Sequence, residues 1–71
     1  MSDGTIRVTV NGDEREIPEG LTVRQLLESL DLRPGLVVVE RNREILSRER
    51  YDDVTVEAGD ALELVHFVGG G

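Results

Sequence analysis

The chain has 71 residues, and a domain of that size buries only about 60% of the surface its unfolded chain exposes, so a modest core and no deep catalytic cleft are expected. It contains no cysteine, which excludes disulfide staples, thiolate-ligated zinc, iron–sulfur clusters and a cysteine nucleophile. Fifteen acidic residues against eight basic ones give a formal charge of −7, which repels phosphate backbones and argues against nucleic acid as a partner; basic protein surfaces suit it better, although the same acidity also serves solubility.

Met1-Ser2-Asp3-Gly4 lacks the basic and apolar regions of a signal peptide, and no apolar run approaches the roughly 20 residues of a membrane span, so a cytoplasmic protein without membrane contact is expected. Thr5 to Val10 alternates, with Ile6, Val8 and Val10 on one face and Thr5, Arg7 and Thr9 on the other, the pattern of a half-buried strand. Asn11-Gly12-Asp13 supplies the positive φ angles of a tight hairpin turn, after which Glu14 to Ile17 returns antiparallel. No phosphate-loop pattern follows it. Pro18-Glu19-Gly20 breaks that strand.

The next residues mark a helix start. Thr22 caps, Gln25 closes a capping box, and Leu21 and Leu26 stand at the positions of a hydrophobic staple. Val23, Leu26, Leu27 and Leu30 recur on one face of a helix of two or three turns, with Arg24, Gln25 and Glu28 on the other. Pro34 blocks continuation, and Gly35 is expected to absorb the reversal.

Leu36 to Arg41 is β-branched and short enough for a strand. Glu40 marks the side it shares with Val38 and Leu36 as the wet one and turns Val37 and Val39 toward the helix. Asn42-Arg43-Glu44 is turn-like, Ile45-Leu46 is a brief apolar return, and Ser47 to Asp52 reads as an irregular connection with Tyr51 packed along its edge. Asp53 to Glu57 alternates as a further strand with its valines inward, and Ala58-Gly59-Asp60 turns into the last strand, Ala61 to Phe67. There Glu63 marks the solvent side and leaves Leu62 and Leu64 in the core. His66, alone and on the Leu62 side, is expected to be packed or hydrogen-bonded rather than a metal ligand. Val65 and Phe67 then lie on the open face and, with Val38, form an apolar patch at the base of the tail, rimmed by Arg41 and Arg7, where a partner would grip.

The strand runs into Gly69-Gly70-Gly71. Glycines without Cβ atoms make a slender backbone that a narrow active site can accept, although loose glycines at a chain end also arise as frayed ends or expression scars.

A hairpin, one helix and further strands ending in a glycine tail resemble the β-grasp fold of ubiquitin, an α+β arrangement in which a mixed sheet of four to five strands wraps one helix. The resemblance implies a single domain over residues 1–71 with a flexible tail at 69–71. More closely, Val37 to Asn42, Ile45, Glu49-Arg50-Tyr51, Gly59-Asp60 and Val65 to Gly71 resemble the ThiS family of sulfur carrier proteins in thiamin biosynthesis. The family's terminal Gly-Gly is matched by Gly70-Gly71, and Gly69 stands where the family has a small residue.

That resemblance implies a carrier rather than an enzyme, binding no metal or cofactor of its own. A ThiF-type adenylating enzyme using ATP and magnesium would activate the Gly71 carboxylate, a sulfur donor protein would convert it to a thiocarboxylate, and thiazole synthase would consume the sulfur. Two related readings share the fold: a small subunit of molybdopterin synthase, and a ubiquitin-like modifier. All eight basic residues are arginine, so no internal side-chain amine is present to accept an isopeptide bond, which compositional bias explains equally well. An interaction domain with an inert tail is the remaining alternative. An independent enzyme fits least, because no acid–base pair stands at a diagnostic spacing.

Overall fold

A computed structural model describes residues 4–67. Strand β1 (Thr5–Val10) turns through Asn11 and Gly12, with φ of 51° and 87°, into the antiparallel strand β2 (Asp13–Pro18). Helix α1 (Val23–Ser29) follows, then strand β3 (Val37–Arg41), the short strand β4 (Glu44–Leu46) and strand β5 (Ala61–His66). The sheet order is β2-β1-β5-β3-β4, with β1 and β5 parallel and the other neighbours antiparallel. One helix on a five-stranded mixed sheet is the expected β-grasp arrangement.

Every free N–H in the first turn of α1 finds a partner. The Thr22 hydroxyl accepts from Gln25 N–H at 3.1 Å, and the Gln25 side chain accepts from Thr22 N–H at 3.0 Å, completing the capping box. Val23 N–H donates to the Val54 carbonyl at 2.9 Å and Arg24 N–H to the Tyr51 carbonyl at 3.0 Å. The segment after the second hairpin thereby seats the helix, since these first-turn donors have no partner within the helix itself.

The helix ends differently from expectation. Asp31 takes the left-handed conformation (φ 63°), its N–H donates to the Glu28 carbonyl at 3.0 Å, and Leu32 N–H donates to the Leu27 carbonyl at 3.0 Å. This is a Schellman closure with aspartate in the place usually held by glycine, because a short polar side chain tolerates that conformation. Gly35 does not make the reversal; it lies in a one-turn 3-10 helix, Pro34–Leu36, that delivers the chain into β3.

The core joins Val23, Leu26 and Leu27 of the helix to Val8, Val10 and Ile17 of the first hairpin and to Val37, Val39 and Leu62 of the central strands. Leu30, Ile6 and Leu64 are partly buried against it. Two expectations are corrected here. Tyr51 is a core residue rather than an edge residue: its hydroxyl donates to the Val37 carbonyl at 2.7 Å and accepts from Val39 N–H at 3.2 Å, tying the connection to β3. Residues 53–57 bury Val54 and Val56 as expected but form no strand; Thr55 makes one isolated bridge with Thr22, and Val56 N–H donates to the Leu21 carbonyl at 2.9 Å. Their hydrogen bonds serve the start of the helix, so a sheet ladder has no claim on them.

Candidate functional site

With α1 covering one face of the sheet, the other face is left open, and strand parity decides what it displays. The register pairs Val38 with Val65 and Glu40 with both Glu63 and Ile45. Because directly paired residues share a face, all five lie on the side away from the helix. Phe67 continues β5, its N–H donating to the Leu36 carbonyl at 2.8 Å. Val65 and Phe67 are 54% and 52% exposed, and Leu36 is exposed beside them. The expected patch of Val38, Val65 and Phe67 is therefore assembled, next to the point where the described residues end.

Ile45 joins it at 68% exposure, a contribution that sequence reasoning missed. The signal lay in the turn. Asn42 and Arg43 both take positive φ (52° and 72°), so β3 and β4 are joined by two residues, with Arg41 opposite Glu44. Reading Asn42-Arg43-Glu44 as one polar turn leaves the facing of Ile45 unassigned. A two-residue loop of the kind that Asn11-Gly12 makes assigns it. Together Val38, Ile45 and Val65 wall a shallow depression of about 550 Å³ in which Glu40 and Glu63 also lie.

Arg41 is not on this face. It has the parity of Val37 and Val39, and its Nε donates to Asp60 Oδ2 at 2.9 Å. Asp60, only 6% exposed, also accepts from Glu57 N–H at 2.9 Å and from the Asn42 amide at 3.1 Å. Burial pushes the Asp60 carboxyl up, but these hydrogen bonds and the Arg41 charge outweigh it and hold the group below the usual carboxylate range. Arg41 is thus committed to an internal network that braces the β3–β4 turn against β5, and the expectation of it at the rim of the patch is corrected. Arg7 keeps the open-face parity expected of it and pairs with Glu14 at 3.5 Å.

His66 is exposed rather than packed, which corrects that expectation. Among the described residues no group of three or more histidine, cysteine or acidic side chains could hold a metal ion, and no helix is long and apolar enough to cross a membrane. The expected sites on Gly69, Gly70 and Gly71 lie outside the described residues. What the geometry offers is an apolar, acid-bearing sheet face continuous with the strand that leads to them.

Comparison with known proteins places this arrangement. The ThiS family model matches residues 8–71. The chain is 50% identical over 50 residues to the sulfur carrier protein ThiS of Bacillus subtilis, covering 70% of this chain and 76% of that one. It is 42% identical over 66 residues to a thiazole synthase of Paramagnetospirillum magneticum; the match takes in 93% of this chain but only 20% of the synthase, so the chain corresponds to about a fifth of that relative. Among solved structures, the thiamine biosynthesis protein ThiS of Geobacter metallireducens superposes with a TM-score of 0.79 at 42% identity, covering 93% of this chain and all of that one.

Proposed function

The chain belongs to the ThiS family, and from that premise we propose that it is a sulfur carrier of thiamin biosynthesis, acted upon by enzymes rather than being one. The observation that carries this reading is that the family match runs through Gly70 and Gly71. In the proposed cycle an oxygen of the Gly71 carboxylate attacks the α-phosphate of ATP on a ThiF-type adenylating enzyme and displaces pyrophosphate. A carboxylate is a poor electrophile until one of its oxygens belongs to a phosphate leaving group; the acyl adenylate meets that need, and a glycine leaves its carbonyl open to attack. A persulfide on a donor protein displaces AMP to give an acyl disulfide, and a thiol of a partner cleaves it to the thiocarboxylate and leaves a disulfide. The thiocarboxylate gives up its sulfur in the thiazole synthase reaction and returns as the carboxylate.

The nucleotide, magnesium and catalytic groups belong to the partners. This chain contributes a rigid sheet, an apolar grip around Val38, Ile45, Val65 and Phe67, and a slender tail. The synthase relative that contains a region similar to this chain supports thiazole synthase as one of those partners.

The test is the intact mass of the protein isolated from its native cell. Replacement of one terminal oxygen by sulfur is the expected result. Stable conjugates to other proteins that survive reducing denaturation, with no thiocarboxylate, would instead identify a modifier.

A further inference from the structure

Glu40 and Glu63 are register partners on β3 and β5, so their carboxylates stand across from each other on the open face, where like charges destabilise a sheet. The ion pairs among the described residues are Arg7–Glu14, Arg24–Glu28, Arg24–Asp52 and Arg41–Asp60, and none of them neutralises either carboxylate. Arg43 borders the same depression without pairing to either. Solubility does not require this placement, since negative charge anywhere on the surface would serve it equally. The two acids instead sit in the depression walled by Val38, Ile45 and Val65, the apolar part of the docking face.

We infer that this depression receives an arginine side chain of the adenylating partner, its stem lying across Val38, Ile45 and Val65 and its guanidinium bridging the Glu40 and Glu63 carboxylates. The inference rests on the carrier reading and deepens it by naming the chemistry of the docking partner. Long basic side chains bury their aliphatic stems on apolar surface while the charge reaches a polar site. Guanidinium is the better match than ammonium, because its planar fork presents five donors, can serve two carboxylates at once and is more weakly hydrated. The repulsion between Glu40 and Glu63 is then relieved only in the complex. Charge complementarity at this point also fixes the register of docking, and with it the line along which β5 delivers the tail.

Pyrophosphate exchange by the cognate adenylating enzyme tests this, comparing the parent with E40Q/E63Q and with D13N/E16Q, which removes two charges from the far strand β2. E40Q/E63Q is expected to raise KM for the carrier about tenfold at low ionic strength with kcat little changed, and to flatten the rise of KM with salt that is expected of the parent. Its thermal midpoint should rise, because the cross-strand repulsion is gone. D13N/E16Q should stay within about twofold of the parent. Should the double variant fold poorly, the single E40Q and E63Q variants decide, each expected to raise KM by more than about twofold, with their effects coupled because the two carboxylates share one guanidinium. A KM for E40Q/E63Q within about twofold of the parent, or an equal rise with D13N/E16Q, overturns the inference while leaving the carrier reading intact. A parent that is never activated overturns both.

Discussion

The Asn11 side chain and the Leu64 backbone hydrogen-bond in both directions: Leu64 N–H donates to Asn11 Oδ1 at 2.7 Å, and Asn11 Nδ2 donates to the Leu64 carbonyl at 3.3 Å. The parallel pairing of β1 with β5 ends at Val10 opposite Leu62, so the amide extends that ladder with a side chain in place of a strand. Replacing Asn11 with glycine preserves the positive φ of the turn and removes only the amide. Asn11→Gly is therefore expected to cost about 1–2 kcal/mol, two ordinary hydrogen bonds, in urea unfolding. Unchanged stability would reduce Asn11 to a turn former.

Asn42 repeats the device on the other side of β5, accepting from Ala61 N–H at 2.9 Å while its amide holds Asp60. The carboxyl of Asp60 is depressed in the folded protein, so the sign is that of a group bound more tightly when ionised. Its contribution to stability is complete above the ordinary aspartate value of about 3.9 and is lost as pH falls through the lower folded value. Asp60→Asn should destabilise by about 1–3 kcal/mol at neutral pH, because an amide must turn its NH₂ toward one of three donors. Denaturation across pH 7 to 3 should also show a shallower acid loss than in the parent. Equal acid slopes would place the titration elsewhere.

Much of this was legible in the chain. Asn11-Gly12 announces its turn, Thr22 and Gln25 announce the helix start, and Glu40 and Glu63 orient β3 and β5 correctly, because charge resists burial on a sheet flanked by one helix. The misses share a cause. Alternation at Val54 and Val56 records burial, not pairing, and cannot tell a strand from a loop whose carbonyls serve a helix. Tyr51 sits in a polar run with no period, so nothing local reveals that its hydroxyl reaches β3. Arg43 adopts a conformation in which glycine or asparagine is expected, which hides the two-residue turn and with it the facing of Ile45. The facing of Arg41 follows from its alternation with Glu40, and only its partner Asp60 was hidden.

Leu27 is fully buried on the helix face that meets the sheet. Leu27→Ala is expected to lose about 2–5 kcal/mol in chemical denaturation, the range for a truncated core leucine. That is a large share of a small domain's stability. A loss below about half a kilocalorie would mean that the helix face is not buried in this way, because even full collapse of the neighbours leaves the transfer loss of the deleted groups.

Phe67 is half exposed and lies outside the core cluster, so its truncation separates docking from folding. Phe67→Ala should shift the unfolding midpoint by no more than about 2–4 °C, the equivalent of about 0.5 kcal/mol for a surface change in a domain this small, and weaken binding to the adenylating enzyme by about tenfold or more, as for an aromatic anchor in a small interface. Calorimetric titration measures the binding and thermal unfolding the midpoint. Unaltered binding would remove Phe67 from the contact and leave the grip to Val38, Ile45 and Val65.

The tail carries the covalent chemistry in the proposed cycle, and its length is as specific as its composition. One residue added after Gly71 displaces the reacting carboxylate by about 3.5 Å, a single extended step, away from the nucleotide's α-phosphate. In-line attack tolerates little of that, since reacting atoms must sit about 3–3.5 Å apart with aligned orbitals. Gly70→Val should fail for a different reason: a β-branched side chain stiffens and widens a segment that must enter a close-fitting channel. Both changes leave the residues of the core cluster unaltered, so both variants are expected to unfold at the parent's midpoint. The decisive measurement is ATP–pyrophosphate exchange followed by mass analysis of the product. The extended variant is expected to lose activation by at least about a hundredfold, and Gly70→Val to lose it with a raised KM, because reach fails in the first and entry in the second. An extended variant activated as fast as the parent would show that the Gly71 carboxylate is not the reacting group. A parent that is adenylated in the presence of a sulfur donor, never acquires sulfur and instead forms stable conjugates would show that this chain delivers itself to an acceptor rather than delivering an atom.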